Sequence, residues 1–347
     1  MPSIIRGTDT FDSAVKVYGF KNHIINGNFD VWQRGTSQTT SGYGSDDRWT
    51  NDNVGSTKTH SRVACTDTER ALFNASAFSR TVVTSVAGAD SYVIKQQKIE
   101  DVTKLAGKTI TLSFWAKADS NKNIAVEFQQ RFGSGGTPST DLYGISSQLV
   151  SLTTTWQKKT ITVTLPSIVG KTLGTDGVHT SSTGVVFWFD AGSYFNSRAA
   201  NLGQQSGTFD IAQVQLEEGS VATPFEQRPY GLELSLCQRY YEPVMAYVNG
   251  MVYAGNGDYR GPNIKFKVTK RVTPTAFPSS IGTSGFALGA NGAGVNLGGS
   301  IEGVACTNEG FDIVNIGNFG NLSAAVGGGD FLYCVKSAGI INFNAEL

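Results

Sequence analysis

The sequence predicts an almost entirely β protein built as a β-sandwich. Charged residues make up only 16% of the 347 residues, whereas a typical soluble domain carries about 25%. The 41 glycines, together with many Ser, Thr and Asn residues, suit short strands and tight turns better than helices. Seven or more strand-like segments follow one another up to residue 226 with no helix between them, which indicates a sandwich.

The segment 109–117 alternates most clearly, because Ile110, Leu112, Phe114 and Ala116 fall on one face of a strand. The run 184–189 is continuously apolar, as expected for a strand buried on both faces. Ile24 and Ile25 suggest a short strand at the start of the domain, just before an Asn-Gly turn signal. The other predicted strands of this region lie at 76–86, 92–99, 124–132, 156–165 and 209–216.

The segment 229–242 is the one predicted helix. Its apolar residues form two neighbouring rows, and prolines stand at both ends of the segment. A helix of about 14 residues is marginal in isolation, so it must pack on the sandwich or on the same helix in neighbouring subunits. The rows consist of Leu232, Leu236 and Tyr240, and of Tyr230, Leu234, Cys237 and Tyr241.

The predicted domain organisation has four parts: an arm or attachment segment over 1–20, a sandwich domain over 21–228, a helical linker over 229–243 and a smaller β-sandwich domain over 244–347. Strands of the last part are predicted at 245–253, 263–269, 304–306, 311–316, 331–335 and 340–343. The segment 282–299 consists mostly of small residues. Composition alone fits either a mobile loop or tightly packed backbone there.

Charge and cysteine usage exclude several classes of function. Lys plus Arg and Asp plus Glu each number 28, with no basic stripe, so nucleic-acid binding is not expected. No signal-peptide core or long apolar run appears, and membrane insertion is not expected. The cysteines are far apart and the histidines are scattered, which predicts buried free thiols from a reducing cytoplasm and no zinc site. These residues are Cys65, Cys237, Cys306, Cys334, His23, His60 and His179.

We expect no enzymatic activity. The sequence has neither a GxSxG nucleophile motif nor a GxxxxGK[ST] phosphate-binding loop. Its adjacent carboxylate pairs begin at Asp46, Glu100 and Glu217. Neighbouring residues of a strand point to opposite faces, whereas a glycosidase needs two carboxylates facing each other about 5 to 9.5 Å apart. A polysaccharide depolymerase assembled from distant residues stays open as an alternative.

Several stretches resemble a module of tailed-bacteriophage tail-fibre and appendage proteins. They are NGNFDVWQRG at 26–35, DRW at 47–49, LSFWAK at 112–117, FDIAQVQLEEGSVATPFE at 209–226 and CQRYY at 237–241. The resemblance covers residues 22–245. The fold of the module is similar to carbohydrate-binding jelly rolls, so the resemblance implies a jelly-roll sandwich that contacts glycans or other subunits.

The resemblance also implies a cellular context. It points to a homotrimer made in the host cytoplasm and assembled into the virion, where it contacts other tail or baseplate proteins and a host-surface polysaccharide. Relatives often hold a structural calcium near the opening turn. Asp30 and Asp210 are the candidate ligands here, although the acidic pattern of the last strand is replaced by Ala212-Gln213-Val214. No other cofactor is expected.

Three functions remain open after the sequence is considered: a glycan-binding fibre or appendage subunit, a purely structural adaptor or capsid-decorating fibre, and a depolymerase. Trp115 leads the candidate glycan contacts, with burial beneath a covering sheet or subunit as its alternative. The other candidate contacts are Trp49, Tyr43, Asp47, Arg48 and Trp32, for which a core tryptophan capped by a local salt bridge is the alternative. The candidate subunit contacts are Leu232, Leu234, Leu236, Tyr240 and Tyr241.

Overall fold

The computed structural model describes residues 20–177, 180–247, 251–252, 264–278, 287–290, 293–296, 300–317, 332–334 and 338–346. Two antiparallel sheets form the sandwich predicted for the first two thirds of the chain. The six-stranded sheet has the order β1-β3-β4-β11-β6-β9. Its strands are β1 Ser37–Gln38, β3 Thr57–Ala64, β4 Ala77–Thr84, β6 Thr109–Ala118, β9 Gln157–Thr164 and β11 Gly207–Glu218.

The five-stranded sheet has the order β2-β5-β10-β7-β8. Its strands are β2 Thr50–Val54, β5 Tyr92–Glu100, β7 Lys122–Arg131, β8 Leu142–Leu152 and β10 Ser182–Ala191. The chain passes repeatedly between the two sheets, from β4 to β5 to β6 and later from β9 to β10 to β11. This alternation is the connectivity of a jelly roll, so the all-β jelly-roll prediction is confirmed.

The core lies between the sheets and follows the predicted alternation. Ile110, Leu112 and Phe114 of β6 are fully buried against the opposite sheet. There the ring of Phe114 meets that of Phe187 edge-on at 5.0 Å. Every residue of β10 is buried: Val185 and Phe187 face the core, and a surface loop packs on Trp188 on the other side. The prediction of a strand buried on both faces is therefore confirmed.

The opening segment differs from its prediction, since Ile24 and Ile25 form no strand. The side chain of Gln97 replaces a neighbouring strand there: its Oε1 accepts from the Ile25 backbone N–H at 2.8 Å, and its Nε2 donates to the Ile25 carbonyl at 2.8 Å. An amide side chain can satisfy one donor and one acceptor at once. The predicted arm at 1–20 lies outside the described residues except for Phe20.

Two α-helices are described where one was predicted. Helix α1, Asp67–Phe73, joins β3 to β4 and begins with a capping box between Thr66 and Glu69. It spans only 7 residues, too few for a helical period to show in the sequence. Helix α2, Tyr230–Gln238, is shorter than the predicted 229–242. It ends early because the chain from Tyr241 onward pairs with another strand.

The C-terminal part consists of three small antiparallel sheets with the orders β12-β21-β15, β13-β20-β16-β17 and β14-β19-β18. The Gly-rich segment 282–299 contains a hairpin formed by β16 and β17, and the rest of that segment lies outside the described residues. The strands are β12 Tyr241–Tyr247, β13 Met251–Val252, β14 Ile264–Lys265, β15 Thr275–Pro278, β16 Ala287–Ala290, β17 Ala293–Asn296, β18 Ser300–Cys306, β19 Gly310–Gly317, β20 Leu332–Cys334 and β21 Ala338–Asn344.

The C-terminal part leaves the sandwich and returns to it at the same place. Tyr241 at the start of β12 is paired with Asn344 at the end of β21. Beyond β21, the carboxylate of Glu346 forms ion pairs with Arg48 and, at 3.3 Å, with Arg34 of the sandwich. All three side chains are nearly buried. The end of the chain is therefore anchored to the sandwich by buried charge.

Candidate ligand-binding surface

The outer face of the six-stranded sheet carries Trp115 and is partly closed by α1. Trp115 is half-buried, and the ring of Phe73 stands edge-on against it at 5.7 Å. Beside it, the indole N–H of Trp156 donates to Glu69 at 2.8 Å, and Lys117 pairs with the same carboxylate at 3.1 Å. Much of this aromatic surface is thus used to pack α1. A glycan contact by Trp115 stays a prediction.

The predicted contacts at 47–49 are wrong, because these side chains lie inside the fold. Trp49 is fully buried between Phe29 and Phe187, with ring centroids at 5.5 and 6.2 Å. Arg48 is also buried and pairs with Glu346, 298 residues along the chain, so the salt bridge is not a local one. Asp47 accepts from the Gln33 backbone at 2.9 Å, and burial raises the pKa of its carboxyl to about 6.

Tyr43 is only half-buried and remains a candidate contact at the edge of this region. The guanidinium of Arg34 lies 5.5 Å from the centre of its ring. Burial of the hydroxyl raises the pKa of Tyr43 above its usual range, and the nearby carboxylate of Glu346 adds to the effect. Trp32 is partly buried as well, and its ring stacks on that of His60 at 5.6 Å.

Beside this region, a buried ionic cluster is formed by Asp46, His60 and Lys95, each with a fully buried side chain. The carboxylate of Asp46 lies 3.0 Å from Nε2 of His60 and 2.5 Å from Nζ of Lys95. Asn51 accepts a further hydrogen bond from Lys95 at 2.8 Å. Burial lowers the pKa of His60 to about 4 and that of Lys95 to about 8. The charges of Asp46 and Lys95 neutralise each other, so the cluster has a structural role.

The guanidinium of Arg228 lies at the opening turn, where a calcium ion was predicted. The guanidinium of Arg228 already bridges this turn: it donates to the carbonyls of Asn22 and Ile24 and pairs with Glu226 at 2.9 Å and Glu233 at 3.3 Å. A fixed cation is therefore bound by these two carbonyl and two carboxylate groups.

The two predicted calcium ligands have other roles. Both carboxylate oxygens of Asp210 accept from Arg80, at 2.7 and 2.8 Å. Asp30 accepts from the Asn28 amide at 2.9 Å, and burial raises the pKa of its carboxyl. Among the described residues, no group of three or more His, Cys, Asp or Glu side chains is arranged to hold a metal. Both carboxylates are thus engaged by other side chains, and a calcium site at Asp30 and Asp210 stays a prediction.

The helix residues predicted as subunit contacts divide into two groups. Tyr240 and Tyr241 are buried within the chain, where the guanidinium of Arg48 lies 3.5 Å from the ring centre of Tyr240 and that of Arg34 lies 3.7 Å from the ring centre of Tyr241. For these two tyrosines the prediction is wrong, because intrachain cation–π contacts use their rings. The leucines of α2 are only half-buried and stay predicted contacts: Leu232, Leu234 and Leu236.

On the outer face of the five-stranded sheet, one half is closed by the loop 192–203. Phe195 from this loop packs on Trp188 at 5.2 Å. Arg198 pairs with the buried carboxylate of Glu127 at 2.9 Å, and the same carboxylate accepts from the indole N–H of Trp188 at 2.9 Å. Aromatic and ionic contacts together seal this half.

The other half of the same face carries a set of polar side chains, here called the polar strip: Gln96, Lys98, Gln129, Arg131 and Tyr143. Gln129 lies beneath Arg131, and its Oε1 accepts from Nε and NH2 of Arg131 at 3.3 and 3.2 Å and from Gln96 at 3.1 Å. Tyr143 is 43% exposed, with the guanidinium of Arg131 5.5 Å from its ring centre. Arg131 and Lys98 are half-buried. Lys98, Arg131 and Tyr143 present donors and an aromatic ring to solvent, whereas Gln96 and Gln129 are buried beneath them.

The strip continues into a cleft of about 120 Å³ between the sandwich and the α2–β12 junction. We call it the basic cleft, because most of its ionisable lining is cationic. Its one lining carboxylate, Glu100, is engaged by Arg239 at 2.9 Å and by the Tyr240 hydroxyl at 2.8 Å. The lining residues are His23, Ile25, Arg48, Gln97, Lys98, Ile99, Glu100, Lys104 and Tyr240.

Positive charge dominates the electrostatics of the basic cleft. Burial lowers the pKa of Lys98 to about 8, and the nearby cations Arg131 and Arg48 push it in the same direction. Burial also lowers the pKa of His23, where Lys108, Lys104 and Arg228 oppose the effect of Glu218. The pKa values of Lys98 and His23 are thus both lowered by surrounding cations.

Sequence reasoning missed both the polar strip and the basic cleft. A signal was present, since the outer-face positions of β5 read Gln96, Lys98 and Glu100, and those of β7 include Gln129 and Arg131. Both strands lie inside the sheet rather than at its edges. Polar outer faces on interior strands mark the side of a sheet that is not covered by packing.

The chain was compared with known proteins. No protein-family model and no curated protein sequence matches it. Among solved structures, a CBM4 structure is similar at 20% identity over 56% of this chain and 98% of that one, with a TM-score of 0.31. A family 11 carbohydrate-binding module from Clostridium thermocellum, in complex with a β-1,3-1,4-mixed-linked tetrasaccharide, is similar at 11% identity over 54% and 98%, with a TM-score of 0.32.

The enzymatically active domain of tailspike protein 4 from bacteriophage CBA120 is similar at 14% identity over 57% of this chain, with a TM-score of 0.32. The chain spans only 22% of the length of that tailspike structure. Because these likenesses are weak, the fold assignment depends on the strands described above. Neither described α-helix reaches the length and apolarity that a membrane crossing requires.

Proposed function

We propose that this chain is a non-catalytic subunit of a tailed-phage tail fibre or appendage, and that its sandwich domain binds a host-surface glycan at the polar strip. The sequence resemblance over residues 22–245 supports the phage context. The observation that carries the binding role is the pairing of Arg131 with the ring of Tyr143, 5.5 Å apart. This ring is 43% exposed, although Arg198 of the loop 192–203 also lies 4.7 Å from its centre.

This pairing suits sugars for two reasons. A pyranose ring has hydroxyl groups that accept hydrogen bonds and a C–H face that packs on an aromatic ring. Arg131 supplies planar donors and Tyr143 supplies the ring. The two hydrogen bonds from Arg131 to Gln129 fix the guanidinium before a ligand arrives. Holding a contact group in its bound geometry lowers the entropic cost of binding.

The subunit in this proposal is a homotrimer that also contacts other tail or baseplate proteins. Support comes from α2, whose Leu232, Leu234 and Leu236 are half-buried within one chain. Neighbouring copies would remove the remaining apolar surface of these side chains from water, which favours association. Sedimentation as a monomer at micromolar concentration would contradict this part of the proposal.

The absence of catalysis is also part of the proposal. Asp46 and Asp47 are buried in the sandwich, where a polysaccharide cannot reach them. Glu100 is held by Arg239, and Glu218 is held by Lys108 at 2.8 Å. A depolymerase needs one carboxyl group that donates a proton and a second carboxylate facing it across the bond. Release of reducing ends from capsule or lipopolysaccharide would favour the depolymerase instead.

The test is a glycan array and a host-cell binding assay on the full-length protein, with Arg131→Ala and Tyr143→Ala. Each should weaken binding about tenfold, the loss typical of one charge-assisted hydrogen bond or one stacked ring. The matched controls are Lys158→Ala, on the other sheet, and Tyr194→Ala, on the loop 192–203, both at exposed residues. Neither control should change binding.

Three outcomes would overturn the proposed site or role. Loss of binding in Trp115→Ala with the fold intact, and none in Tyr143→Ala, would move the site to the six-stranded sheet. Equal losses in the controls would show that the effect is not local. Binding to no glycan and no cell would favour the structural adaptor or capsid-decorating role.

A further inference from the structure

We propose that the basic cleft binds the anionic group of an acidic saccharide, a carboxylate or a phosphate, while the neighbouring sugar units lie along the polar strip. This inference rests on the proposed glycan-binding function and specifies its ligand class. It is carried by the arrangement of His23, Lys98 and Lys104 around one cavity that opens beside the strip.

Only some of the charged groups that line the cleft are neutralised within the protein. Arg48 is neutralised by Glu346, and Glu100 is engaged by Arg239, so these groups cancel within the protein. Lys104 is exposed, and its ammonium group has no ion pair or hydrogen bond in the part of the chain that the structure describes. The cleft therefore retains positive charge for an incoming anion.

His23 adds a second polar group at the mouth of the cleft. Its Nε2 lies 3.7 Å from the half-exposed carboxylate of Glu218, which is itself paired with Lys108 at 2.8 Å. The distance from His23 to Glu218 is longer than a hydrogen bond. The imidazole can therefore turn its nitrogen toward a ligand without breaking a strong internal contact.

The shape of the cleft fits a charged group with part of its sugar ring. Its volume of about 120 Å³ is several times the roughly 10–15 Å³ that one water molecule needs. Ile25, Ile99 and Tyr240 supply apolar wall, and Lys98, Lys104 and His23 supply donors. The apolar part of the wall strengthens an ion pair, because the local dielectric constant is lower than that of bulk water.

The cleft and the polar strip form one continuous surface. Lys98 belongs to both, and it lies close enough to Arg131 for the two charges to influence each other. A saccharide with its acid group at Lys98 and Lys104 would therefore pass Arg131 and Tyr143 with its next sugar units.

The experiment measures binding of three probes to the full-length protein by isothermal titration: an oligogalacturonate, its methyl ester, which has the same sugars without charge, and a phosphorylated mannose oligosaccharide. We expect at least one acidic probe to bind about tenfold more tightly than the ester, and its affinity to fall as salt rises. Equal affinity for the ester and both acidic probes would overturn the acidic-ligand inference but leave glycan binding standing. Binding of no saccharide, here or on the array, would overturn both.

The matched variants are Lys104→Gln, which changes an exposed side chain, and Lys98→Gln. Each should weaken binding of the acidic probe about tenfold. Lys104→Gln, which lies outside the polar strip, should also leave binding of the methyl ester unchanged. Lys171→Gln, on a loop outside the cleft, serves as the charge-matched control. Should Lys98→Gln fail to fold, Lys104→Gln still decides the question. Retention of wild-type affinity for the acidic probe in Lys104→Gln would contradict the role of the cleft.

Discussion

Basic side chains gather at two places in the sandwich domain. In the buried ionic cluster, Lys95 and His60 surround Asp46 at hydrogen-bonding distance, and none of these side chains reaches solvent. In the basic cleft, Lys98 and Lys104 line an open cavity whose one carboxylate is engaged by other residues. The first arrangement neutralises its charge inside the fold, whereas the second leaves charge facing an open cavity.

The difference follows from the cost of burying charge. Moving an ion out of water is expensive unless partners at close range replace its hydration. Asp46 meets that requirement through His60 and Lys95, with Asn51 completing the donors of Lys95. Lys104 remains exposed and needs no such partner. The two places therefore predict opposite responses to mutation: a loss of stability in the first and a loss of binding in the second.

The largest effect is expected for Asp46→Asn. This change leaves Lys95 buried without its counter-ion, and breaking a buried pair in this way costs about 3–5 kcal/mol. The free energy of unfolding from urea titration at pH 7 measures it. The control is Asp67→Asn, because the side chain of Asp67 is fully exposed. A loss below about 1 kcal/mol would show that the cluster does not stabilise the fold as the geometry indicates.

The next effect concerns pH. Burial first, and then Lys95, lowers the pKa of His60 from 6.5 to about 4, although Asp46 opposes the shift. Between these pH values the unfolded chain binds the proton and the folded chain does not, so stability falls as pH falls. A shift of this size corresponds to about 3 kcal/mol.

The pKa values of other groups shift in the opposite direction over the same pH range. That of Asp47, for example, rises to about 6. The measurement therefore compares the wild type with His60→Gln. For each protein, the change in the free energy of unfolding between pH 7 and pH 4 is determined. The wild type should lose about 3 kcal/mol more than the variant. Parallel pH curves for the two proteins would show that His60 is not held neutral by the fold.

Much of the fold was predictable from residue patterns, and the reasons are local. The alternation in β6 and the apolar run in β10 follow directly from the period of a strand. Strand β3 was not predicted. Most of its residues are polar, such as Thr59, which is paired with Val82 of β4, and Ser61, which is paired with Arg80. Its side chains therefore carry little hydrophobic signal. The length of α2 was overestimated because the apolar rows continue into Tyr240 and Tyr241, which pack on arginines.

The site was less predictable because it depends on contacts between distant segments. Arg48 was predicted to contact a ligand, and only the return of the chain at Glu346 shows that its charge is used internally. The opening turn shows the same limit, since Arg228 brings its guanidinium there from more than 200 positions away. Residue type and local pattern did not contain the partner in either case.

The smallest effect on stability is expected for Lys104→Gln, which completes the comparison between the two cationic regions. Lys104 is exposed, so its loss should change the free energy of unfolding by less than about 0.5 kcal/mol. Removing one cation should also slightly ease the repulsion that lowers the pKa of His23, and the pKa of His23 should rise toward 6.5. Urea titration measures the first quantity, and NMR titration of the His23 ring measures the second. A marked loss of stability would mean that Lys104 has a structural role like that of Lys95, and the distinction between a closed cluster and an open cleft would fail.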